Sequence, residues 1–165
     1  MKRTIKLFSV VLPLLFFCTS CDLIAELQSS TKLSFYAQIS NKTGTKDTLL
    51  FTGKNLNYYV ESTGELVFKD SLTPKKLISY HKIKCTLRTD SLFTFTATSD
   101  IMSSLVNDLV LNHNLIDGKY YFEDGYPDYI DNLGATTLRT QNKEKRSASW
   151  AKFIAQLKLE GKYEK

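Results

Sequence analysis

The chain has 165 residues, 42% of them hydrophobic and 24% charged, with a formal charge of +5. Three of its 22 basic residues, Lys2, Arg3 and Lys6, stand at the very start, leaving 19 against 17 acidic ones, a balance that excludes a nucleic-acid binder. Three cysteines are too few for a disulfide framework, and the length suits one domain with a real core.

The first element is a leader. Lys2, Arg3 and Lys6 precede an almost unbroken apolar run from Leu7 to Phe17, and small polar Thr19 and Ser20 lead into Cys21. That order is the grammar of an export signal. The run is about a dozen residues, short of the roughly 20 that a membrane-spanning helix needs, so a permanent membrane helix is not expected.

Phe17-Cys18-Thr19-Ser20-Cys21 resembles the lipobox of bacterial lipoproteins, with Cys18 where the usual box has leucine. The resemblance implies cleavage between Ser20 and Cys21 and lipidation of Cys21, palmitate included. It also implies a cell-envelope location, on the periplasmic or surface face of the outer membrane. In the competing reading Cys21 stays a thiol and pairs with Cys85 in a soluble secreted protein. The expected organisation is a signal peptide over 1–20, a tether over 21–32 and a single β-rich domain over 33–165. Stretches 53–68, 107–127 and 143–161 resemble small envelope lipoproteins of the Bacteroides type, which brings no assigned activity.

From Leu33 the apolar period is two: Leu33, Phe35, Ala37 and Ile39 share one face of a half-buried strand. A turn at 41–44 leads to a strand over 48–52, and Gly53-Lys54-Asn55 breaks it. Strands at 58–61 and 65–68 flank Ser62-Thr63-Gly64 as a hairpin, because glycine accepts positive φ. Pro74 bars a helix interior. Strands follow at 78–87 and 91–98, joined by Arg88-Thr89-Asp90. In Ile83-Lys84-Cys85-Thr86-Leu87 the alternation sets Cys85 among apolar neighbours, which reads as core filler.

Residues 99–112 are ambiguous between a helix capped by Asp100 and an irregular lead-in to a strand at 108–111; the strand is favoured, because Asn112 to Phe122 reads as a hairpin. A loop fills 123–134. A C-terminal helix over 143–160 aligns Ser147, Trp150, Ile154 and Leu157, joined by Phe153, with Asn142 as its cap and Gly161 as its stop. The basic run Lys143-Glu144-Lys145-Arg146 reads as its solvated start. The fold class is α+β, mostly β: an antiparallel sheet or a sandwich- or barrel-like body with one C-terminal helix.

Functional signals are sparse. Carboxylates between Glu123 and Asp131 match no calcium-loop spacing and read as a solvated turn. His81 and His113 lack a partner ligand at metal spacing. No glycine-rich phosphate loop or nucleophile elbow is present. Thus no catalytic residue, metal or cofactor is expected. Tyr126 and Tyr129, beside Asp and Asn, form a candidate binding face, since exposed tyrosines stack and hydrogen-bond. The expected role is a non-catalytic envelope lipoprotein held to membrane lipid through Cys21 and presenting a surface to an envelope protein or glycan. An enzyme or accessory acting on polysaccharide, and a structural subunit, are the competing readings.

Overall fold

Strand β1 (Leu33–Asn41) realises the alternation directly: Leu33, Phe35 and Ala37 are fully buried, while Ser34, Tyr36 and Gln38 lie on the opposite face. The computed structural model describes residues 33–41, 44–70, 74, 77–127 and 133–165. The signal peptide 1–20 with Ser20, the tether 21–32 with Cys21, and Tyr129 therefore lie outside the described residues.

β1 pairs antiparallel with β2 (Gly44–Thr52), and Phe35 stacks on Phe51 with ring centroids 4.1 Å apart. Thr52 then caps a 3-10 turn at Gly53–Asn55, and the Asn55 side chain accepts from the Thr52 N–H at 3.1 Å. β3 (Leu56–Val60) and β4 (Glu65–Phe68) form the expected hairpin, with Gly64 at φ +77°. β5 (Ile83–Leu87) and β6 (Asp90–Ser99) form the next, and β7 (Val110–His113) pairs antiparallel with β8 (Tyr120–Glu123). Helix α1 (Leu133–Leu159) leads to the short β9 (Tyr163–Glu164).

The described residues are mostly β, 44% strand against 26% helix, with one sheet curled as a half-barrel. Among the described residues its nine strands run in the order β2-β1-β5-β6-β7-β8-β4-β3-β9. The sheet is mixed rather than purely antiparallel, for β7 joins β6 and β9 joins β3 in parallel. In both cases the chain first travels back along the sheet, through residues 100–109 and through α1 respectively.

Several local expectations need correction. Ile39 is 37% exposed, because β5 pairs with β1 only as far as Ala37 and leaves the outer end of that face uncovered. Residues 78–82 are not strand: the Tyr80 N–H donates to Leu77 O at 2.9 Å, and Pro74 and Leu77 are both helical and buried. Residues 100–109 are the irregular lead-in that the favoured reading expects, not the alternative helix: the Met102 N–H donates to Ser99 O in a turn, and Val106 bridges Tyr126. β7 begins at Val110, two residues beyond the expected start.

α1 starts at Leu133, ten residues before the expected position, so Asn142 is not a cap; it lies inside the helix and donates from Nδ2 to Asn107 O at 2.8 Å. The first part of α1 is largely solvent-facing and is held by polar contacts, since Arg139 donates to Pro127 O at 2.9 Å. It has no apolar stripe to read. The stop is as expected: Gly161 sits at φ +65°, its N–H donates to Lys158 O, and the Lys162 N–H reaches back to Leu157 O. This is the two-bond closure that ends a helix with a left-handed residue.

The core lies between α1 and one face of the sheet. Phe153 and Leu157 are fully buried and Ile154 nearly so, against Phe93, Phe95 and Phe122. Each such side chain contributes roughly 1.5 to 3 kcal/mol. Cys85 is fully buried in that core, and burial pushes its thiol far up from the ordinary range, so it packs as a small hydrophobe.

Candidate functional site

The turn of the β3–β4 hairpin and the end of β8 stand opposite the C-terminal half of α1, and the space between them is a groove of about 640 Å³, open along one side. Its size falls within the range of small-ligand sites, roughly 300 to 1,000 Å³. The floor is aromatic. Trp150 meets Tyr59 edge-on at 5.9 Å and Phe122 at 5.4 Å, with Phe93 and Phe153 behind it at 5.3 and 5.1 Å.

The helix wall presents Ser147, Ala151 and Ala155 at four-residue spacing, all exposed, with Ile154 beside them. Their small side chains are what leaves the groove empty on that side. Ser147 lines the groove with Trp150 and Ile154, in keeping with the expected stripe, but is exposed there because the burial begins only at Trp150. Across from it stand Thr63 and Gly64. Gly64 is obligatory there, since a Cβ would come within 2.6 Å of Phe122 O.

Charged residues gather at the two ends of the helix wall. At one end Arg146 donates to Asp108 at 2.7 Å and to Asp124, while Lys143 pairs with Asp124 at 2.8 Å. Arg146 has only 10% of its side chain exposed, so it is not part of a solvated start. Its delocalised fork bridges two carboxylates, which a lysine cannot imitate. Replacing Arg146 with methionine is expected to cost about 1 to 2 kcal/mol, the range for charged hydrogen bonds to partly exposed partners, read from urea denaturation. An unchanged midpoint would mean that the bridge contributes nothing. At the other end the Tyr163 hydroxyl donates to Glu61 and Lys158 Nζ lies 4.2 Å over the Tyr163 ring.

Tyr59 is 4% exposed, and burial, reinforced by the negative charge of Glu61, pushes its hydroxyl up to about 12. The phenol therefore remains a hydrogen-bonding group at neutral pH. From about pH 10 to about 12 the unfolded chain loses this proton while the fold retains it, so stability is complete below pH 10 and falls across that window. Urea unfolding over this range should show a steeper loss in the wild type than in Tyr59→Phe; equal slopes would rule out the assignment. Some slope persists in the variant, because Tyr120 and Tyr163 are also shifted upward.

Tyr126 lies elsewhere. It is half-buried, exchanges two 2.8 Å backbone hydrogen bonds with Val106, and lines a smaller hollow of about 330 Å³ with residues 100–105 and Pro127. Of the carboxylates between Glu123 and Asp131, Asp124 is committed to Arg146 and Lys143, and Glu123 accepts from Asn112 Nδ2 at 3.4 Å. His81 is exposed, and His113 stacks on Tyr120 at 4.4 Å. Among the described residues no three His, Cys, Asp or Glu side chains come together as a metal site, and no helix is long and apolar enough to cross a membrane.

The groove was not legible in the sequence. Tyr59, Thr63, Leu109, Phe122, Asp124 and Trp150 come from four separate segments, and no motif or period connects them. Ser147, Ala151 and Ala155 were the one local signal: small residues at helical spacing beside a tryptophan. A scan against protein families, a search of curated proteins and a search of solved structures each gave no match.

Proposed function

We propose that this chain is a lipid-anchored lipoprotein of the cell envelope, placed on the outer membrane through Cys21, whose body is a non-catalytic binding module. The leader pattern supports the anchor. Each buried methylene of the attached acyl chains contributes about 0.8 kcal/mol, so several chains on one cysteine hold firmly.

The observation that carries the binding role is the open aromatic groove. Its ionisable groups are engaged with each other: Asp124 with Arg146 and Lys143, and Glu61 with Tyr163. Tyr59 is shifted away from neutrality rather than toward it. An acid or base working near pH 7 needs the opposite, and this favours a binder over an enzyme or an accessory acting on polysaccharide.

Two measurements test the proposal. Mature protein should partition with membranes and carry lipid mass on Cys21, and Cys21→Ser should release it; a soluble product with the leader uncut would refute the anchor. Trp150, the only tryptophan of the chain, should change its emission when the envelope polysaccharide or envelope protein fraction that binds the protein is added. Binding that leaves this emission untouched would refute the groove as the binding face.

A further inference from the structure

The groove's own chemistry narrows its occupant, granted the binding role above. We infer that it takes a neutral, hydroxyl-rich oligosaccharide, laid along α1 with one sugar face against Trp150.

Charge is the first consideration. The Arg146 cation is shared between Asp108 and Asp124, Lys143 adds a second cation to Asp124, Glu61 accepts from the Tyr163 hydroxyl, and the Lys158 ammonium lies over the Tyr163 ring. Positive and negative groups thus answer each other within the groove. An anionic ligand would have to draw Lys158 off the Tyr163 ring or break one of the ion pairs, and a cationic one would have to take Glu61 from the Tyr163 hydroxyl, whereas a neutral one leaves every contact in place.

Openness is the second. An alkyl chain binds well where most of its surface leaves water, and in a groove open along one side much of it would stay wet. A sugar ring suits this geometry: its C–H face covers an aromatic floor, and its hydroxyl edge remains in solvent or bonds to the Tyr59, Thr63 and Ser147 hydroxyls.

Length and edges complete the case. The helix wall runs from Lys143 to Lys158, about 22 Å at roughly 1.5 Å per residue, which matches several linked sugars better than one. Among the described residues β3 is flanked by β4 and β9 and β8 by β7 and β4, and the edge strand β9 contributes no residue to the groove lining, so an extended peptide has no ladder to join there.

The test is calorimetry on the full mature chain with linear neutral glucan and mannan oligosaccharides, their monosaccharides and an amphipathic helical peptide. The oligosaccharide of one series should bind at least about tenfold more tightly than its monosaccharide, with affinity nearly indifferent to salt. Ala151→Leu and Ala155→Leu, at exposed positions, should weaken it by at least about tenfold with no change in Tm. Absence of heat with every neutral oligosaccharide, or affinity that collapses at high salt, would overturn the inference. So would binding that is untouched by both substitutions. A peptide that binds in place of the sugars, and is blocked by Ala151→Leu, would overturn the glycan while leaving the binding module intact.

Discussion

Phe153→Ala is expected to lose about 3 to 5 kcal/mol of unfolding free energy. Phe153 is fully buried and packs edge-on against Tyr59, Phe93 and Phe122, with Trp150 at a tilt. Removing its ring takes away the transfer energy of the side chain and leaves a cavity that rigid aromatic neighbours cannot close. Set against a total of about 5 to 15 kcal/mol for a small domain, this is a large fraction of what holds α1 to the sheet. Denaturation in urea measures it, and Phe153→Leu should recover a good part. A loss under about 1 kcal/mol would mean that α1 is not packed as described.

Gly64→Ala should cost about 2 to 4 kcal/mol, although it adds one methyl group at a half-exposed turn. Two causes combine. At φ +77° an L-residue is strained, and its Cβ would lie 2.6 Å from Phe122 O, which is backbone and cannot swing aside. The Gly64 carbonyl also accepts from the Phe122 N–H at 2.8 Å, so displacing the turn breaks the link between the β3–β4 hairpin and β8. That link aligns one bank of the groove. The variant should therefore lose binding along with stability, and Gly118→Ala, at φ +73° and with nothing within 4 Å of its Cβ, is the control for strain without a clash. Equal losses in the two variants would rule out the clash.

These two residues also show what the sequence could disclose. Gly64 stands between two alternating runs, and Phe153 sits on a helical stripe; both were legible because the signal is local. The same holds for Leu33, Phe35 and Ala37 and for the stop at Gly161. Ile39 follows the same period yet is exposed, because how far a neighbouring strand extends is set by pairing elsewhere. The early part of α1 was missed for the converse reason: Arg139 and Asn142 secure it through Pro127 and Asn107, and contacts between distant segments leave no period. Arg146 looked solvated among its charged neighbours, and only the fold brings Asp108 and Asp124 to it. The groove belongs to this second kind of feature, assembled from residues that nothing in the sequence joins.

The most direct test of the groove is the indole N–H resonance of Trp150, a single signal in a chain with one tryptophan. On titration with the neutral oligosaccharide that binds most tightly, that signal should shift together with the amides of Ala151, Ala155 and Gly64. An indole that stays fixed while shifts gather instead around Tyr126 and residues 100–105 would contradict the account and move the binding face to the smaller hollow.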